Sequence, residues 1–184
     1  MFSEKPPKRS DVTLPLAELA AQAAAQTRRM LLAGESRQAI LSLLVNTAET
    51  VAGEGGVCSI LELDNEGLLR NAASPNLPAD YLEAIDKLKP NPGVGTCAAA
   101  AATGSVVVTC DFMADDKWAE LRHLPLSLGF VGAWSMPIKN NDGKVLGTLG
   151  TYFRDRRTPT PEEMASVETL ASAASLVLGP SDQP

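Results

Sequence analysis

VGAWSMPIKNNDGKVLGTLGTYF, residues 131–153, holds two β-type runs on either side of the turn NNDG (140–143). Asp-Gly supplies the positive-φ geometry of tight turns whose twist matches that of paired strands, so 131–139 and 144–153 read as an antiparallel hairpin. Pro137 donates no ladder hydrogen bond, which places its strand at an edge or a bulge. Upstream, VCSILEL (57–63) and LLRNAAS (68–74) flank a second turn, DNEG, and form another hairpin. The β-branched run SVVVTC (105–110) adds a further strand.

Helical patterns surround these strands. Leu16, Ala20, Ala23, Thr27 and Met30 step by four and three, a narrow seam along a helix ending near Gly34. After Ser36, a cap residue, Ile40, Leu43, Leu44, Ala48 and Val51 make a broader apolar face suited to a sheet, up to Gly53. A short helix follows Pro78 and Asp80 and stops before Pro90, and the middle of DFMADDKWAELRHLPLSLG (111–129) reads as helical. A last helix opens at Thr160-Pro161 with Glu162 and Glu163 near its positive end, and repeats Met164, Val167, Ala171, Ala174 and Leu178 as a second narrow seam. This order describes an α+β sandwich: a central antiparallel sheet, N- and C-terminal helices on one face, a loop and short-helix layer on the other. Residues 1–13 and 180–184 read as disordered tails, 14–34 as an N-terminal helix and 35–179 as the domain. The two seams suggest a homodimer bundled through the terminal helices.

Bulk properties narrow the function. A chain of 184 residues buries roughly 70% of its unfolded surface, enough for a core without a metal or disulfide staple. The net charge of -6 argues against nucleic acid, since the only basic cluster is Lys5, Lys8 and Arg9. Three cysteines, 58, 97 and 110, form no CxxC, so neither a disulfide framework nor a zinc site is indicated and a reducing cytoplasm fits. No signal core or run long enough to span a bilayer is present.

The glycine-rich PNPGVGTCAAAAATG (90–104) admits three chemistries. GVGTCA matches the letters of a dinucleotide fingerprint, but KPNP feeds it where that fingerprint needs a strand, and no Walker lysine follows. With Thr96 as cap, Cys97 falls in the first turn of an alanine helix, where free amides favour a thiolate; packed against a sheet, it is a small buried residue. His123, the only histidine, offers a single possible base, and no GxSxG elbow presents a serine. Asp111, directly after a strand, is a candidate polar group for a pocket. Trp118 in the loop layer, Trp134 in the strand beneath and Tyr152 on the partner strand would form an aromatic wall around a small molecule, or pack as core.

Taken in order, PNPGVGTCAAAAATG, VVVTCDFMADDKWAELRHLPLSLGF, WSMPIKNNDGKVLGTLGTYF and RTPTPEE resemble the GAF domain, particularly GAF domains that precede histidine kinase or diguanylate cyclase modules, over residues 36–178. The resemblance implies a GAF/PAS-like fold with its ligand pocket between sheet and loops, and makes the glycine loop the approach to a pocket-side helix. Asn141 is followed by Asp142 and Phe153 by RDRR, departing from the cyclic-nucleotide signature. No cysteine is followed by histidine, as covalent bilin attachment commonly requires. Cys97 matches the loop cysteine of free methionine sulfoxide reductases, but DKLKP and KWAELRHL lack their other thiols. The expectation is a sensory, signalling module of the two-component kind that binds a small molecule through Cys97, Asp111, Trp118, His123, Trp134 and Tyr152, with no cofactor identified by any motif. A separate signalling protein would receive its output. The alternatives are a thiol reductase with Cys97 as nucleophile and Cys110 or Cys58 resolving, and a protein-binding scaffold with no ligand.

Overall fold

A computed structural model describes residues 14–179 of the chain, so both predicted tails and the basic arm lie outside the described residues. The elements run α1 (Leu16–Leu32), α2 (Arg37–Ala52), β1 (Val57–Leu63), β2 (Leu69–Ala73), α3 (Ala79–Ala84), α4 (Cys97–Thr103), β3 (Val107–Thr109), α5 (His123–Ser127), β4 (Gly132–Lys139), β5 (Val145–Phe153) and α6 (Pro161–Leu178). All strand pairings are antiparallel in one five-stranded sheet of order β2-β1-β5-β4-β3. The α+β sandwich expected from the sequence is the observed architecture.

The β4–β5 hairpin closes as its turn chemistry requires. Asn140 Oδ1 accepts from Asp142 N at 3.0 Å and Lys144 N at 2.9 Å, and Gly143 holds φ at 80°. Next to the turn Lys139 faces Val145, but a β-bulge between Ile138 and Lys139 shifts the rest by one residue, so that Ala133 faces Tyr152. Because side chains alternate faces, that single shift decides which residues reach which layer. Pro137 lies beyond Ser135, where the three-residue β3 no longer covers β4, and there its missing donor is tolerated.

Three helices cover one face. Ser36 Oγ caps α2 by accepting from Ala39 N at 3.2 Å. Thr160 and Glu163 form a reciprocal capping box at the start of α6. Arg157 ties this corner together, donating to Glu163 at 2.8 Å and to the Ala52 carbonyl at 2.9 Å. The two seams do not stay free for a second copy. Ala20, Ala23 and Thr27 of α1 and Val167, Ala171, Ala174 and Leu178 of α6 are buried within one chain, in a single core with α2 and the sheet. The helices α1 and α6 lie on the same face, and their alanines let them approach closely. Leu31, Leu32 and Leu176 remain exposed. Among the described residues no helix is long and apolar enough to cross a membrane.

The other face carries α3, α4 and the segment 111–129. That segment holds no single central helix: a 3₁₀ turn, Asp116–Trp118, and the five-residue α5 replace it. Pro125 is compatible with the first turn of α5 but would break a helix running through from 116, lacking the N–H and clashing one turn back.

Candidate functional site

Between the sheet and this layer lies a cavity of about 20 Å³, lined by Leu61 and Tyr152 on the floor, Thr96 and Cys97 at the start of α4, and Trp118 in the roof, with Tyr81 closing one side. A space of that size holds about one water. Its walls are mostly apolar, completed by Ile85, Leu88, Leu121 and Leu124, and among the described residues no charged side chain lines it.

The polar atoms of the cavity converge. Tyr81 donates its hydroxyl to that of Tyr152 at 2.7 Å, and the rings meet edge to face with centroids 5.8 Å apart. Both tyrosines are buried, and burial first of all pushes both phenols above their ordinary range, so both stay protonated at neutral pH. Cys97 Sγ lies 3.1 Å from Ser135 Oγ, which donates to Thr96 Oγ1 at 2.9 Å. Ser59, Gly150 and Ser135 form one row across β1, β5 and β4. The absent side chain of Gly150 leaves the gap that Cys97 Sγ fills, since a Cβ there would stand 2.9 Å from that sulfur. Beneath it, the hydroxyls of Ser59 and Thr148 are buried without a hydrogen-bond partner.

Trp118 is anchored at both ends. Its Nε1 donates to Thr109 Oγ1 at 3.2 Å, and Thr109 donates in turn to Asp115 Oδ2 at 2.6 Å. Burial alone would raise the Asp115 carboxyl, but the bonds from Lys117 and Thr109 outweigh it and hold the group below the usual carboxylate range. Phe112 packs on the indole with centroids 4.3 Å apart, and Gly95 N donates to Lys117 O at 2.8 Å, linking the glycine loop to the roof.

Of the residues expected at the site, Cys97, Trp118 and Tyr152 line the cavity. Trp134 does not: the bulge shift turns it to the helix face, where it is buried in the α1–α2–α6 core with its Nε1 unpartnered, so the two indoles lie on opposite faces of the sheet. Asp111 is held at the surface by Arg156 at 2.7 Å. His123 is exposed at the start of α5 and lines no part of the cavity. Thr96 makes no side-chain cap bond, and burial, the largest influence on Cys97, raises its thiol rather than favouring a thiolate. Cys58 lies on the helix face, 3.4 Å from Thr151 Oγ1, and burial pushes it up to about 12. Cys110 is exposed, three residues past Val107, which pairs with Ser135; that offset is about 10 Å along the strand. Sequence reasoning missed Tyr81, Thr96 and Ser135. The signal was present in the period-two series Thr148, Gly150, Tyr152, a small and polar sheet face set against Leu149, Thr151 and Phe153.

The family model described as GAF domain matches residues 34–179, and the chain belongs to the GAF domain family. It is similar to the methyl sulfide methyltransferase-associated sensor of Methanosarcina acetivorans, 34% identical over 146 residues, which are 79% of this chain and 14% of that protein. The chain thus matches only about a seventh of that relative's length. In structure it resembles the GAF domain of a phosphoenolpyruvate-protein phosphotransferase from Coxiella burnetii, with TM-score 0.68, 20% identity and coverage of 87% of this chain and 92% of that one. It also resembles the reduced form of fRMsr of Staphylococcus aureus, with TM-score 0.66, 15% identity and coverage of 96% and 99%. At these identities the structural likenesses concern the fold.

Proposed function

We propose that this GAF domain is a sensory module that takes a small molecule into the cavity beneath Trp118 and transmits its occupancy through the sheet to the helix layer. Kinship with a protein named as a sensor supports the signalling role. The observation that carries the ligand is polar: the Tyr81–Tyr152 pair has two hydroxyl protons and only one mutual bond, so one buried donor is left over beside the cavity. An unsatisfied buried donor costs about 1–3 kcal/mol, a cost that an acceptor on a bound molecule relieves. Entry of anything larger than water shifts the roof, which hangs on Trp118, Leu121 and Leu124 in short turns rather than long helices.

For a homodimer the support is narrower than the seams, which are buried. It rests on Leu31, Leu32 and Leu176, the apolar residues exposed near the C-terminal ends of α1 and α6. Those two ends lie together, since Arg37 at the start of α2 donates to Val177 O. Sedimentation of a monomer alone at working concentration removes that assembly. A scaffold that binds only protein is the second reading, favoured by the small volume of the cavity. Thiol reduction has less support, with Cys97 held as a thiol and Cys58 across the sheet.

Native mass spectrometry of the freshly purified chain tests the ligand reading. A small molecule that co-purifies and is lost from a Leu124→Trp protein, whose side chain fills the cavity, supports it. A bare chain mass in both proteins, with no Tm increase against a metabolite panel, overturns it.

A further inference from the structure

We infer that the ligand of this cavity is an uncharged, largely apolar molecule carrying one hydrogen-bond acceptor, seated on the Tyr81–Tyr152 hydroxyl pair with its apolar part under Trp118. The inference rests on the ligand reading above and specifies its chemistry.

The lining decides against charge. Leu61, Ile85, Leu88, Leu121 and Leu124 surround the space, and among the described residues no lysine, arginine, histidine, aspartate or glutamate lines it. An ion brought there leaves water and meets no counter-charge, which is the costliest kind of burial. Phosphate-bearing ligands are disfavoured for the same reason. Two carboxylates of the roof segment serve elsewhere: Asp115 holds Thr109 and Lys117, while Asp111 holds Arg156.

The hydroxyl pair decides for an acceptor. Both phenols remain protonated, and Tyr81 spends its proton on Tyr152. In that arrangement the proton of Tyr152 has no protein partner among the described residues. A carbonyl, ether or hydroxyl oxygen on the ligand satisfies it, while an ammonium brings only further donors. Cys97 Sγ is the other polar atom at this end of the floor. It is engaged by Ser135 and supplies a soft, polarisable contact rather than a charge.

The test uses the full chain carrying Trp134→Phe, so that Trp118 is the only indole, with 2-hexanone as neutral probe and hexanoate and hexylammonium as charged counterparts of like length. Fluorescence titration and Tm are read together. The expected result is saturable binding of 2-hexanone, at least tenfold tighter than either ion, and weakened about tenfold when Tyr81→Phe and Tyr152→Phe are combined, which removes both hydroxyl donors. Hexanoate or hexylammonium binding as tightly as 2-hexanone overturns the assignment of ligand class and leaves the ligand reading standing. An unchanged 2-hexanone affinity in the protein carrying both Tyr81→Phe and Tyr152→Phe overturns the role of the hydroxyl pair. Absence of any response from all three probes overturns both, with a single cooperative unfolding transition of the Trp134→Phe protein as the folding control.

Discussion

Gly150→Ala reports directly on how the floor of the cavity is built. Gly150 sits mid-strand in β5, paired with Ser59 on one side and Ser135 on the other, in a conformation any residue adopts, so the effect of a methyl group is purely steric. The new Cβ would stand 2.9 Å from Cys97 Sγ, 3.2 Å from Ser59 Oγ and 3.5 Å from Ser135 Oγ. Carbon and sulfur do not approach that closely, so Cys97 must rotate away from Ser135 or α4 must lift. Overpacking of this kind costs about 1–3 kcal/mol. In a domain of this length it lowers Tm by roughly 3–10 °C. Differential scanning calorimetry of wild type, Gly150→Ala, Cys97→Ala and the double variant measures both the cost and its origin. With the sulfur gone, the added methyl should cost less than about 1 kcal/mol, leaving a coupling of about 1–2 kcal/mol between the two sites. Equal destabilisation by Gly150→Ala with and without the Cys97 sulfur would refute the claim that the thiol occupies the gap.

Other parts of the site respond in their own ways. Tyr152→Phe leaves the buried Tyr81 hydroxyl without its partner and should cost about 1–3 kcal/mol, whereas Tyr81→Phe with Tyr152→Phe should cost less than the single change; urea midpoints compare them. A disulfide-exchange reagent should modify one thiol rapidly in the native protein, the exposed Cys110, and all three after unfolding; native-state labelling of Cys97 at the rate of Cys110 would restore the thiol-enzyme reading. Asp115 has its folded pKa below the unfolded value, so its contribution is full above about pH 4 and is lost as pH falls through the folded pKa. Urea midpoints between pH 2 and 6 should therefore fall less steeply in the Asp115→Asn protein than in wild type.

Much of this architecture could be read from local chemistry. The Asp-Gly turn, the Ser36 cap, the helix start at Thr160-Pro161 and the period-two runs each act over a few residues, and each formed as expected. What failed depends on register or on competition between partners. Trp134 and Tyr152 would share a face if the pairing of Lys139 with Val145 continued along the hairpin, and one bulge puts them on opposite faces. The seams of α1 and α6 carry the pattern of an intermolecular coiled coil, but nothing in a stripe of alanines says whether its partner is another copy or the other end of the same chain. Asp111 directly follows a strand and His123 is the single histidine, but Arg156 and solvent are the partners they meet. Tyr81 escaped because its helix is short and its role appears only when α3 folds over β5.

Crystals of the protein pressurised with xenon give the most direct test of a sheet face that admits a guest beneath Trp118. The expected result is a xenon atom bounded by Leu61, Tyr81, Trp118 and Tyr152, with the roof displaced outward to make room. An unaltered roof with no xenon in that space, while xenon binds elsewhere in the same crystal, would contradict it.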